Sequence, residues 1–176
     1  MNRPLPAPRL RVPTHEDALA WHRLFADPEV MEFHGGKPAA LSVYEELTAR
    51  QRRHDAERGF CLWTVLDESG EVLGFTGAQP WPRDWGPVGE VEIGWRLGRA
   101  HWGKGYVTAA AHETLRRVRA AGVPDVVAIV RPGNERSVAV TRRLGMRPAD
   151  PYPHPILEED ALCFRLDLDS RAGDAG

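Results

Sequence analysis

An apolar strand that runs into a glycine-rich turn and then a helix constrains this chain more than any other feature. The strand is Val91-Glu92-Ile93-Gly94-Trp95-Arg96-Leu97, the turn carries Trp102-Gly103-Lys104-Gly105, and Tyr106-Val107-Thr108 opens the helix. Such a turn aims several backbone N–H groups at one point. The helix N-terminus adds partial positive charge, so the place suits a phosphate or pyrophosphate. Glycine belongs there because a Cβ would hold the ligand off the backbone. Two phosphate loops fit poorly. Gly98 to Lys104 spells GxxxxGK, but Gly105 stands where a P-loop needs the Ser or Thr that holds Mg²⁺. Gly103-x-Gly105 begins a dinucleotide pattern, yet Thr108 replaces the third glycine, and Asp125 precedes the next strand instead of ending it.

The flanking segments supply a mixed sheet. Arg9 to Pro13 reads as a first strand, and Thr14-x-x-Asp17 caps a helix that Asp27-Pro28 breaks. A second helix runs from Ser42 to Arg58, with Val43, Leu47 and Arg50 on one stripe. Cys61 to Leu66 and Val72 to Gln79 flank Asp67-Glu68-Ser69-Gly70, a hairpin signal. Glu90 to Leu97 follows as a strand, Tyr106 to Ala121 as a helix, and Val126 to Val130 as a buried, parallel strand. A helix from Ser137 to Leu144 and a strand from Ala161 to Leu168 close the series. This order predicts one α/β domain over 1–169, with six to seven strands, about four helices and a frayed tail over 170–176.

Charge and cysteine usage narrow the function. The formal net charge of −2 gives no excess field for nucleic acid or a membrane surface. No apolar run approaches ~18 residues, so a cytoplasmic protein is expected. Cys61 and Cys163 have no metal spacing and read as free thiols. Lys37 and Lys104 are the only lysines in an arginine-rich chain, and Lys104 sits between two glycines.

Two motifs together resemble the GNAT superfamily of N-acetyltransferases. Glu92-Ile93-Gly94-Trp95 followed by Trp102-Gly103-Lys104-Gly105-Tyr106-Val107-Thr108 is similar to its acetyl-CoA motif in the branch of the ribosomal-protein N-terminal acetyltransferases. Asn134-Glu135-Arg136-Ser137, then Leu144-Gly145-Met146, is similar to the next motif, an Asn-x-x-Ser before a helix that ends in a Leu-Gly-aromatic turn. The likeness spans Arg9 to Leu168. Ala100 stands where the superfamily often has Gln or Arg, and Met146 replaces the aromatic.

The resemblance implies acetyl-CoA as cosubstrate, no metal, and direct transfer to a primary amine by a monomer or homodimer. The amine could belong to a protein N-terminus, a small molecule or an aminoglycoside-type drug. A coenzyme-A-binding regulator without turnover is the other class. The cofactor residues implied are Trp95, Arg96, Leu97, Trp102, Gly103, Lys104, Gly105, Tyr106, Val107, Thr108 and Asn134. Trp95 to Leu97 would bond the pantetheine arm on a strand splayed from its neighbour, with a bulge at Gly94. Glu92 matches the general base of some members, or is a carboxylate paired with an arginine. Ser137 matches a residue that protonates the thiolate, or caps the helix after it. His34 lies where this fold admits the acceptor. Trp81 and Trp85 either wall that site or cover the sheet edge, and Tyr152 to Pro155 shapes the same side. His15, His22, His54 and His101 read as surface residues.

Overall fold

The computed structural model describes residues 3–169; the frayed tail expected over 170–176 lies outside the described residues. The strands are β1 (Arg9–Arg11), β2 (Leu62–Leu66), β3 (Val72–Pro80), β4 (Val91–Leu97), β5 (Asp125–Val130), β6 (Arg147–Tyr152) and β7 (Ala161–Asp167). They form one sheet in the order β1-β2-β3-β4-β5-β7-β6, antiparallel except where β4 meets β5. The helices are α1 (Asp17–Leu24), the single turn α2 (Pro28–Met31), α3 (Leu41–Arg58), α4 (Tyr106–Ala120) and α5 (Glu135–Arg143). No helix among the described residues is long and apolar enough to cross a membrane.

Helices cover both sheet faces. Ala111, Leu115 and Val118 of α4 and Val138 and Leu144 at α5 join Ile93, Leu97, Val126 and Ala128 in one core. Trp21 and Phe25 at α1, Met31 of α2 and Tyr44 of α3 close a second core on Leu62 and Phe75. With helices on either side, β2 is buried at every position. Successive residues of β4 serve different layers. Ile93 and Leu97 enter the α4 core, whereas Glu92 and Arg96 reach partners in or beside the α1–α3 layer.

Three expectations change. No strand is expected over 147–152, where Pro148 and Pro151 stand; β6 is an edge strand paired only with β7, where proline is tolerated. The buried stripe of α3 is Tyr44, Thr48 and Gln51, while Val43, Leu47 and Arg50 line a cavity. Two of the three buried residues are polar, so hydropathy periodicity favoured the neighbouring stripe. Asp27-Pro28 ends α1 but also starts α2: Asp27 Oδ1 accepts from the Glu29 N–H at 2.9 Å, with Pro28 in the first turn.

Asp17 ties the first strand and helix to the sheet. Its buried carboxylate accepts from the Arg11 guanidinium, from the Thr14 N–H at 2.8 Å and from Thr64 Oγ1 at 2.8 Å. The cap expected at Thr14 falls instead at Glu16, since α1 begins at Asp17, whose carboxylate still reaches back to the Thr14 N–H. Burial raises the acid's pKa, but these bonds outweigh it and hold Asp17 below its ordinary value. A depressed carboxylate contributes stability above the unfolded pKa of about 3.9, and loses it as pH falls through the folded value. Asp17→Ala leaves buried donors unpaired and should cost about 2–4 kcal/mol at pH 7. Chemical denaturation at pH 7 and pH 3 checks this: the gap between wild type and variant should shrink at the lower pH.

Candidate active site

The sheet opens beside the glycine loop. β4 is in continuous antiparallel register with β3 from Gly74↔Leu97 to Pro80↔Val91, so the bulge expected at Gly94 is absent. Against β5 it keeps one ladder pair, Glu92↔Val127. The splay therefore comes from divergence of two strands, not from an inserted residue in β4.

A cavity of about 700 Å³ lies along this opening, and all eleven residues expected to hold the cofactor line it. Gly103 and Gly105 have φ +72° and +86°, a backbone conformation that favours glycine. A Cβ at Gly103 would meet nothing of the protein within 4 Å, so the loop leaves a cradle a ligand can approach. The loop is pinned where Trp102 Nε1 donates to the Leu97 carbonyl at 3.0 Å. Arg136 stacks over the Trp102 ring at 4.1 Å. Tyr106 directs its hydroxyl to Glu68 Oε2 at 2.9 Å. Open N–H groups at the head of a fifteen-residue helix and a chamber this long fit a pyrophosphate with its attached arm. Arg3, Pro4 and Leu5 also line the cavity, and a Cβ at Gly105 would come within 3.2 Å of Leu5 and Pro6. Nothing in the sequence signals this N-terminal arm.

A second cavity, of about 540 Å³, lies on the α1–α3 side and is lined by Glu92, His34, Trp81 and Trp85. Trp85 packs edge-on between Trp81 and His154, with centroids 5.4 and 4.7 Å away, so the loop over Tyr152 to Pro155 meets the tryptophan loop at the mouth. Glu92 has no ion pair among the described residues, which removes the arginine-pair alternative; Gln79 Nε2 donates to its Oε1 at 2.7 Å. The chain of amides has a fixed direction. The Leu62 N–H can only donate, and does so to Gln51 Oε1 at 2.9 Å; Gln51 Nε2 then donates to Gln79 Oε1 at 2.7 Å. Gln79 is left to present its amide hydrogens to Glu92. Burial raises the Glu92 pKa to about 7, against the lowering pull of the Gln79 bond, Arg83 and Arg50. Burial, then Arg96 and Arg131, push His34 down to about 3, so its imidazole is neutral at physiological pH.

The two cavities share Phe33, His34, Trp95, Arg96, Asn134 and Ser137. Helix α5 begins two residues before Ser137, and Asn134 is its cap, with Oδ1 accepting from the Ser137 N–H at 3.3 Å. Ser137 is therefore not the N-cap. Its hydroxyl oxygen accepts from Trp95 Nε1 at 3.3 Å, which leaves its proton free to be given. Neither cysteine joins the site. Cys61 and Cys163 are buried free thiols, and burial raises the pKa of both. Of the four histidines read as surface residues only His15 is exposed; His101 lines the first cavity and His54 bonds Gln51.

An acetyltransferase (GNAT) domain profile matches residues 9–147. The chain belongs to the GNAT acetyltransferases. This GNAT protein is 33% identical over 145 residues to YkkB, an uncharacterized protein of Bacillus subtilis strain 168, covering 78% of this chain and 81% of that one. It is 31% identical over 110 residues to an L-methionine sulfoximine/L-methionine sulfone acetyltransferase of Pseudomonas paraeruginosa, covering 61% of this chain and 64% of that one. The match thus spans just under two thirds of that relative. Among solved structures, a GNAT-family acetyltransferase from Bacillus anthracis superposes with a TM-score of 0.77 at 19% identity, over 94% of this chain and 98% of that one. A ribosomal-protein-alanine N-acetyltransferase from Brucella melitensis gives 0.72 at 18%, over 90% and 99%. The ribosomal branch is one neighbour among several.

Gly103→Ala adds a methyl into space the protein leaves empty, at a φ that costs a non-glycine residue about 1–2 kcal/mol. It should lower the melting temperature by a few degrees and weaken coenzyme A binding at least tenfold, measured by calorimetric titration. Unchanged affinity would place the phosphates elsewhere.

Proposed function

We propose that this protein moves the acetyl group of acetyl-CoA directly to a primary amine, as a cytoplasmic N-acetyltransferase working through a ternary complex. The observation that carries this reading is that the glycine-loop cavity and the Glu92 cavity meet at Trp95 and Ser137. The donor would occupy the first, with its pyrophosphate on the N–H groups of Gly103 to Thr108 and its arm along Trp95 to Leu97. The amine would enter the second, past His34, Trp81 and Trp85. One relative is named for acetylating L-methionine sulfoximine and L-methionine sulfone, whose L-methionine scaffold carries a primary amine.

Glu92 is the general base. An acid held near 7 is substantially ionised at physiological pH and basic enough to take a proton from an ammonium or from the attacking amine. The neutral nitrogen attacks the thioester carbonyl, and the carbon–sulfur bond breaks as the carbon–nitrogen bond is completed. Ser137 gives its proton to the departing thiolate and is reprotonated from solvent. Trp95 holds the Ser137 oxygen in place. With no reactive cysteine at the junction, no acetyl-enzyme is needed.

Thiol release from acetyl-CoA across amino acids, peptides, polyamines and aminoglycosides tests the reading; a coenzyme A-binding protein with no release on any amine would contradict it. In wild type, kcat/KM should fall tenfold per pH unit below about 7, and Glu92→Gln should remove that limb. The stability sign is independent of activity. A carboxyl whose folded pKa is raised stabilises the fold most at low pH and loses that contribution as pH rises from about 4.5 to about 7. The melting temperature of Glu92→Gln should therefore gain on wild type across that window.

Ser137→Ala should lower kcat about 100-fold, the low end for a general acid because a thiolate is already a fair leaving group. Coenzyme A affinity should barely move. As the hydroxyl caps nothing, folding should lose only about 0.5–1.5 kcal/mol, for the Trp95 bond. Full kcat in this variant would leave water as the acid.

A further inference from the structure

The acceptor cavity is cationic. Arg50, Arg83, Arg96 and Arg131 line it against two glutamates, Glu46 and Glu92. None of the four arginines forms an ion pair among the described residues. Such a wall repels polyamines and polycationic drugs, and it attracts an anion.

Arg96 is the most demanding of the four. Its guanidinium lies over the rings of Phe25 and Phe75, at 5.2 and 5.4 Å from their centroids. The rings hold its faces but satisfy no N–H. Nη1 meets the Met31 sulfur at 3.8 Å, the Tyr44 hydroxyl lies beside the group, and Nε is shielded from solvent with no partner. The fully buried Tyr44 hydroxyl faces the Arg96 guanidinium, Arg50 Nε is without a partner, and both residues line the same cavity. Buried donors without partners are rare because each costs its lost hydration. Buried charge without a counter-ion costs more. Arg96, the Tyr44 hydroxyl beside it and the unpartnered Arg50 Nε, gathered around one chamber, describe a seat whose occupant brings the acceptor oxygens.

The seat is placed for an amine's own anionic group. Glu92 and Arg96 lie on one face of β4 and line the same cavity, and Arg50 is near enough to Glu92 to lower its pKa. Gly94 lies between them, and a Cβ there would meet nothing within 4 Å. The floor between base and cation is therefore open.

We propose that the acceptor is a small amino acid-type molecule, a primary amine whose carboxylate or equivalent anion sits against Arg96, Tyr44 and Arg50. This rests on the acetyl-transfer reading above. It separates a free amino acid from a protein N-terminus, whose α-carboxyl is consumed in a peptide bond.

The experiment pairs each amino acid with its carboxylate-free amine: leucine with 3-methylbutylamine, phenylalanine with 2-phenylethylamine, 4-aminobutyrate with propylamine. Thiol release is measured, and kcat/KM is referred to the free-base fraction, so that different amine pKa values do not decide the result. Binding is read in parallel as the shift in melting temperature on adding each compound to the coenzyme A complex. At least one amino acid should exceed its partner about tenfold to a hundredfold in kcat/KM and alone give a further shift. Arg96→Gln should bring that ratio to within about threefold of one, with Arg96→Lys retaining part of the preference. Tyr44→Phe removes one hydroxyl from the seat and should lower the ratio about threefold to tenfold. If the arginine variants do not fold, the wild-type ratio and Tyr44→Phe decide. Equal or better use of the carboxylate-free amines, or no response to any amino acid, overturns the proposal. Loss of both acid and amine turnover by the same factor in Arg96→Gln assigns that residue to packing and overturns its role. Absence of any coenzyme A-induced shift in wild type is a different failure, because it removes the acetyl-transfer reading itself.

Discussion

Everything at the site depends on the parting of β4 from β5. The sheet holds β4 firmly on one side, in seven consecutive pairs with β3, and lets it go on the other after the single pair Glu92↔Val127. A strand with one free edge inside a sheet normally recruits another strand. Here the helix head of α4 and the start of α5 flank the gap, so the strand edge becomes the wall of a cavity. The two chambers communicate there because nothing fills the space between the diverging strands.

The alternation of β4 then divides the work. Ile93 and Leu97 anchor the strand in the α4 core, Trp95 reaches Ser137 across the gap, and Glu92 and Arg96 reach the opposite layer. A seven-residue strand thus contributes core residues, the Trp95 contact to Ser137, and the carboxylate and guanidinium that line the second cavity. The polar residues of α3 complete the arrangement. Gln51 is fully buried, which is tolerable because Leu62, His54 and Gln79 satisfy its amide. That same satisfaction fixes which face of the Gln79 amide meets Glu92.

Much of this was legible in the sequence because the determinants are local. Strand, glycine turn and helix head are contiguous, so Val91 to Thr108 announces both the element order and the open glycine cradle. Gly59 and Gly122 directly follow the helix ends expected at Arg58 and Ala121, and both take the left-handed conformation that closes a helix. What remained hidden depends on distant segments meeting. The Gln51–Gln79–Glu92 chain joins α3, β3 and β4, and no spacing rule links glutamines 28 residues apart. The arm at Arg3 to Leu5 enters the donor cavity through a chance of topology. The proline-bearing β6 was hidden for the opposite reason, since its local signal argues against a strand that only an edge position permits. The start of α5 was misread by two residues because Ser137 and Asn134 are both good caps, and only geometry shows that Asn134 holds the role.

Direct transfer across the junction is the central claim, and its kinetic signature is unambiguous. Initial rates should be measured over a grid of acetyl-CoA and acceptor amine concentrations, using the best amine found by thiol release. If both substrates must occupy their adjoining cavities together, double-reciprocal plots will intersect. Parallel lines, with acetyl group retained on protein incubated with acetyl-CoA alone, would show a covalent acetyl-enzyme and contradict the account.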